Sequence, residues 1–162
     1  MSLVSAGRVA PAFELRAIDG QRYELEEKLQ QGPVLVVFFK VSCPTCQYML
    51  PFVDRLRQRL PGARIWGVSQ DNERASRLFA AEFGITFPIL IDEEPWELSD
   101  AYGLTHVPTY VLIASDGRVE LSGDGFVRKD LLAIQDSLVR RFTVTLPPLF
   151  GSTEKVPEFK PG

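Results

Sequence analysis

The sequence predicts a three-layer α/β domain: a mixed central sheet between helices, preceded by a β-hairpin. Three observations predict it. Val34 to Phe39 is a continuous apolar, β-branched and aromatic run, as in a strand buried on both faces. Strand-like runs then alternate with segments of helical period, which implies parallel strands joined by helical crossovers. Near the end, two strand-like runs flank Ser115-Asp-Gly117, the turn chemistry of an antiparallel hairpin.

In chain order, Phe13, Leu15 and Ala17 alternate with Glu14 and Arg16, Asp19-Gly20 turns the chain, and Tyr23 and Leu25 resume. This is the N-terminal hairpin. Val34–Phe39 is the central strand, and after it Met49, Phe52, Val53, Leu56 and Leu60 recur at helical spacing until Pro61-Gly62. Ile65 to Val68 reads as a second buried strand. Asn72 or Asp71 caps a helix whose face carries Ala75, Leu78, Phe79 and Phe83, with Gly84 as its stop. Ile89–Ile91 is a short strand, Trp96 to Tyr102 a short helix ending at Gly103, and Thr109–Ile113 pairs with Val119–Ser122. Leu131, Ile134 and Leu138 line a last helix starting near Lys129. Residues 1–144 form the domain, and the Pro-rich stretch 145–162 reads as an extended or frayed tail.

The 162 residues, 45% apolar and 24% charged, suit one domain with a full core. The net charge of −3 is made of interleaved signs, so there is no basic stripe for nucleic acid and no polybasic segment for an anionic membrane. The longest apolar run, Pro33 to Phe39, is far shorter than the roughly 20 residues that span a bilayer. A monomer is expected. Met1-Ser-Leu-Val-Ser-Ala-Gly-Arg lacks the features of a signal peptide. As written the chain reads as cytoplasmic, and as periplasmic or extracytoplasmic if this start stands in place of a removed leader, so localisation stays open.

The chemistry concentrates in Cys43-Pro44-Thr45-Cys46, three residues after the central strand and at the mouth of a helix. A Cys at a helix N-cap meets unpaired N–H groups and the positive end of the helix dipole, which favour thiolate over thiol. Cys43 is thus the candidate nucleophile. Cys46, one turn further in, lies deeper, keeps its proton until needed and resolves a mixed disulfide. Pro44 suits the first helical position, where its missing N–H has no partner to lose, and it stiffens the ring, while Pro44 and Thr45 together help set the reduction potential. Two other readings of the pair exist. Zinc wants three or four ligands and the chain holds two Cys and one His; alternatively, both thiols are inert core residues.

With the strand, the C-x-x-C and the helix in this order, the chain resembles the thioredoxin superfamily. Pro51 sits where that family carries a helix-kinking proline, and Tyr102-Gly-Leu-Thr-His-Val-Pro108-Thr109 resembles its Gly-x-x-x-x-Pro-Thr segment. The N-terminal hairpin, Gly67 to Asp71 and Phe87 to Asp92 resemble the redoxin branch, TlpA-like and related to the AhpC/TSA proteins. The resemblance covers roughly Ala10 to Arg141. It implies a thioredoxin-like α/β/α sandwich and a thiol-disulfide oxidoreductase that acts on protein thiols and disulfides as a reductase. It also implies a recharging redox partner, no cofactor beyond the redox-active disulfide, and no metal. In the family the proline matching Pro108 is cis and faces the disulfide, leaving the preceding backbone, here Val107, to pair with a substrate strand; Thr109 belongs to the same contact.

The sequence departs from the thioredoxin pattern at two places. Ser42 replaces the aromatic residue before the first cysteine, and Val37 stands where thioredoxin has a buried acid, so water or another carboxylate must take the proton of Cys46. Lys40 either lowers the thiol's proton affinity or is a solvated strand-end charge. His106 either reaches the rim as a proton carrier or is a plain loop residue. A peroxiredoxin-like thiol peroxidase is the first alternative, but its Pro-x-x-x-Thr/Ser-x-x-Cys pattern fits neither cysteine, since Lys40 precedes Cys43 by three. The second is a thioredoxin-like chaperone that holds Cu(I) through Cys43, Cys46 and His106.

Overall fold

The computed structural model describes residues 2–142 and 144–162; Met1, on which part of the reading of the chain's start rests, lies outside the described residues. The chain forms β1 (Glu14–Arg16), β2 (Arg22–Glu24), α1 (Leu25–Leu29), β3 (Val34–Phe39), α2 (Pro44–Arg59), β4 (Arg64–Ser69) and α3 (Glu73–Phe83). There follow β5 (Ile89–Ile91), α4 (Glu97–Tyr102), β6 (Thr109–Ile113), β7 (Val119–Asp124), β8 (Phe126–Val127), α5 (Arg128–Val139) and β9 (Phe159–Lys160).

The central sheet has the order β5-β4-β3-β6-β7, with β3, β4 and β5 parallel and the β3–β6 and β6–β7 pairs antiparallel. This is the expected mixed sheet, and β1–β2 is the expected hairpin. β3 takes the centre because every one of its side chains is buried. Its alternation divides the interior in two. Leu35, Val37 and Phe39 face a core with Met49, Leu56, Phe79, Leu131, Ile134 and Leu138, while Val34, Val36 and Phe38 face Leu25, Trp66, Leu98 and Tyr102. Layers of helix on both faces follow from that.

The helix ends obey local chemistry. Asn72 caps α3 by accepting the Ala75 N–H at 2.8 Å, and Gly84 ends it in the left-handed conformation at φ +66°. Asp71, read as the alternative cap, is used elsewhere. α4 is anchored by buried Asp92, which accepts the backbone N–H groups of Leu98 (3.1 Å) and Ser99 (2.9 Å). α5 starts at Arg128, one residue before the expected position. Pro51 lies inside α2, where it offers no N–H to the carbonyl four residues back.

Three elements escaped the sequence reading: α1, β8 and β9. The last belongs to the stretch expected to be extended or frayed. It is extended but not frayed. Leu149 and Phe150 are buried in the core beside Phe52 and Phe126, and Arg55 grips Glu154 at 2.6 and 2.9 Å. Prolines keep the stretch out of regular ladders, yet two apolar side chains suffice to dock it.

Two predictions follow from these contacts. Asp54, buried on α2, accepts the N–H groups of Thr86 (2.7 Å) and Phe87 (3.1 Å), the Thr86 hydroxyl (2.9 Å) and the Gln58 amide (2.7 Å), tying the entrance of β5 to the helix. Asp54→Ala orphans these donors and should cost about 3 kcal/mol in urea unfolding, against nearly nothing for an exposed substitution such as Glu82→Ala. The Arg55 guanidinium and the Gly151 N–H hold the Glu154 carboxyl down at about 2, from an ordinary value of 4.5. A lowered native value means stability that is present above pH 4.5 and lost as the pH falls through 2. Glu154→Gln should therefore melt below the parent at pH 7, with the gap closing across that acid window in thermal scans.

Candidate active site

The site is assembled where β3 runs out of the sheet and α2 begins. Lys40, Val41 and Ser42 make the connection, and it is held from two sides. Asp71 Oδ2 accepts the Val41 N–H at 2.8 Å, and the Gln47 side-chain amide donates to the Val41 carbonyl at 2.9 Å. A rigid approach delivers Cys43 to the N-cap of α2 with extended backbone (φ −83°, ψ 114°), and Pro44 occupies the first helical turn. Cys46 N–H donates to Cys43 Sγ at 3.1 Å. The sulfur thus occupies the place of a capping oxygen, where backbone dipoles stabilise negative charge.

The two thiols are free and differ in environment. Cys43 is half-buried, whereas Cys46 has no exposed surface. Burial pushes the Cys46 thiol well above its ordinary value, the neighbouring Cys43 sulfur adds to this, and the Lys40 backbone pulls more weakly the other way. Cys46 therefore holds its proton. Val37 is fully buried in β3, as its apolar character requires.

From across the sheet comes the loop before β6. The Val107–Pro108 peptide bond is cis, and the Val107 carbonyl lies 3.5 Å from Cys43 Sγ. Pro108 is buried and Val107 half-buried. Thr109 differs from expectation: its side chain is 1% exposed, donates to the His106 carbonyl at 2.8 Å, and its backbone pairs with Phe38 and Asp124. These bonds brace the loop that carries Val107 and Pro108.

The remaining candidates separate. Ser42 and Pro44 are exposed at the rim. Thr45 is buried, and its hydroxyl donates to the Pro161 carbonyl at 2.6 Å, a partner 116 residues away. Lys40 extends over the Trp96 ring, with Nζ 5.5 Å from the centroid. The exposed His106 places Nδ1 2.9 Å from the Thr105 hydroxyl. Lys40, Trp96, His106, Gln70 and Val107 line a cavity of about 230 Å³ beside the cysteines. Trp96 is held in a left-handed conformation (φ 56°) and donates its indole N–H to the Gln70 carbonyl at 3.0 Å. Asp71, Gln47, Gln70, Trp96 and the tail are the site residues that sequence reasoning missed. Asp71 carried a signal, but one that pointed to a cap.

Among the described residues, no three His, Cys, Asp or Glu side chains gather as a metal would need, and no helix is long and apolar enough to cross a membrane.

A family model for the AhpC/TSA family matches residues 6–122, which include both cysteines, β3 and the cis-proline loop. The chain belongs to the AhpC/TSA family. The chain is 32% identical over 121 residues to the thiol-disulfide oxidoreductase ResA of Halalkalibacterium halodurans, covering 73% of this chain and 68% of that one. It is 30% identical over 130 residues to the protein of the same name from Geobacillus thermodenitrificans, with 78% and 74% covered. Its fold is similar to the thioredoxin domain of a thiol-disulfide oxidoreductase from Bacteroides vulgatus, at TM-score 0.73 and 20% identity, over 84% of this chain and 99% of that one. For an AhpC/TSA member the fold is thus thioredoxin-like, as the sheet order indicates.

The contrast between the thiols is directly measurable. In the reduced protein at pH 7, iodoacetamide should label Cys43 at least about tenfold faster than Cys46 by peptide mass spectrometry. Cys43→Ser should leave the native protein almost unlabelled until denaturant exposes Cys46.

Proposed function

We propose that this chain is a thiol-disulfide oxidoreductase that exchanges a Cys43–Cys46 dithiol for the disulfides of protein substrates and works as a reductase. The observation that carries the reading is the Cys46 N–H aimed at Cys43 Sγ, with the second thiol buried one turn behind it. The similarity to the two ResA proteins, both named thiol-disulfide oxidoreductases, supports it.

The chemistry is two sulfur transfers. The Cys43 thiolate attacks one sulfur of the substrate disulfide; a mixed disulfide forms and the other substrate sulfur leaves as a thiolate. Cys46 then gives up its proton to water or to that departing thiolate and attacks Cys43 Sγ. The second substrate thiolate is expelled, and the chain is left with a Cys43–Cys46 disulfide, two electrons having passed to the substrate. A dithiol partner reverses the process on the chain. Val107 supplies a carbonyl next to the reacting sulfur that can pair with an extended substrate strand. Pro108 and Thr109 hold that carbonyl in place, and Lys40 and His106 border the path by which a partner approaches. The chain acts as a monomer in this reading.

Peroxide chemistry fits less well. The side chain three residues before Cys43 is Lys40, whose ammonium sits over Trp96 and offers no hydroxyl to position a peroxide.

Cys43→Ser should abolish insulin reduction in the dithiothreitol-coupled turbidity assay, while Cys46→Ser should accumulate mixed disulfides visible on non-reducing gels. Peroxide consumption should stay slow; a peroxidase rate that dominates and survives Cys46→Ser would replace this reading with a peroxidase. Equilibration with dithiothreitol should place the couple near that of thioredoxin, about −270 mV, and a value near −120 mV would make the chain an oxidant.

A further inference from the structure

We propose that the segment Phe159–Gly162 is an internal occupant of the groove in which a substrate polypeptide lies, so that exchange with protein disulfides requires this segment to swing out. Small thiol reagents, by contrast, reach Cys43 directly. The inference rests on the oxidoreductase reading, because it assigns the same Val107 carbonyl to the substrate strand.

Six contacts place the segment. β9 pairs antiparallel with β8, Phe126 opposite Lys160 and Val127 opposite Phe159, and the Arg128 N–H donates to the Glu158 carbonyl at 3.0 Å. The Thr45 hydroxyl, between the two cysteines in sequence, donates to the Pro161 carbonyl at 2.6 Å. Lys160 Nζ lies 4.8 Å over the Tyr48 ring, one turn along α2. Gly162 is pressed against the cis-proline loop: a Cβ there would fall 2.8 Å from the Val107 carbonyl carbon, 3.4 Å from Pro108 N, and in collision with the Val107 oxygen. Gly125, at φ +78°, makes room on the other side, since a Cβ there would lie 2.7 Å from the Lys160 carbonyl. An extended peptide thus already runs from the edge of β8, past the helix mouth, to the carbonyl that also neighbours Cys43 Sγ. This is strand addition performed by the chain on itself.

The segment is far less buried than its root. Its root is fastened by buried Leu149 and Phe150 and by the Arg55–Glu154 pair, whereas its end has a two-residue ladder and an exposed Phe159 (55%). Cys43 remains half-exposed with the segment in place. The protein is therefore expected to discriminate by substrate size. A small reagent does not compete with the segment; a polypeptide must displace it, and its rate falls by the fraction of molecules that are open.

The test compares the full chain, a variant ending at Glu158, and Lys160→Glu in the full chain. Each is assayed with iodoacetamide on Cys43 and with insulin as protein disulfide. The shortened variant should reduce insulin at least about fivefold faster with iodoacetamide labelling unchanged, and Lys160→Glu should move the same way by less. The peptide Pro-Glu-Phe-Lys-Pro-Gly, added at millimolar concentration to match its tethered value, should slow the shortened variant towards the parent rate. Equal insulin rates in all three proteins would overturn the inference and leave the oxidoreductase reading standing. Parallel changes in labelling and insulin reduction would also overturn it, because the segment would then act on Cys43 itself. Absence of any disulfide exchange in all three, with Cys43 labelled normally, would instead remove the oxidoreductase reading and this inference with it.

Discussion

The backbone N–H of Cys46 meeting the sulfur of Cys43 is the contact around which the rest of this molecule is arranged. It is one hydrogen bond of 3.1 Å, but it exists only if a strand ends and a helix begins within a few residues, and if both are held still. β3 supplies the rigidity, because it is the middle strand of the sheet and has no exposed side chain. Asp71 and Gln47 complete it by fixing Val41 just upstream. The sulfur of Cys43 lies at the mouth of the helix, whereas that of Cys46 sits in the apolar interior, where burial opposes charge. The two thiols thus meet different environments within a single helical turn.

A second constraint comes from the sheet order. Placing β6 antiparallel against β3 brings the start of β6 to the same end of the sheet at which β3 delivers the cysteines. The cis-proline loop therefore lands on Cys43 without any contact encoded nearby in the chain. β8, which follows β7 in the chain, lies outside that sheet and pairs with β9 in a two-stranded sheet of its own. In this protein the chain's own residues Phe159 and Lys160 meet β8.

Much of this was readable in advance. The buried strand, the amphipathic helices, the Ser115-Asp-Gly117 hairpin and the C-x-x-C at a helix mouth all leave marks within a few neighbouring residues, because strand burial, helical period, turns and caps are short-range properties. What the sequence left open has the same origin. Asp71 and Asn72 are adjacent and equally good caps by composition, and only the position of Val41, 30 residues away, decides that Asp71 serves the active-site loop. Thr109 read as part of the substrate contact, and only the fold shows that its backbone pairs with Phe38 and Asp124 while its hydroxyl bonds the His106 carbonyl of its own loop. The Pro-rich stretch read as extended or frayed because proline breaks ladders, and composition says nothing of Leu149 and Phe150 packing into the core, Phe150 beside Phe52.

By itself the sequence determined the class of fold and singled out the pair of sulfurs at the helix mouth, since both are written in contiguous residues whose local physics is strong. Tertiary structure alone decided what surrounds those sulfurs: Val107 64 residues from Cys43, and Pro161 116 residues from Thr45. Contacts across such separations depend on which strand pairs with which and in what direction, and loop closure over so many residues leaves no local pattern to read.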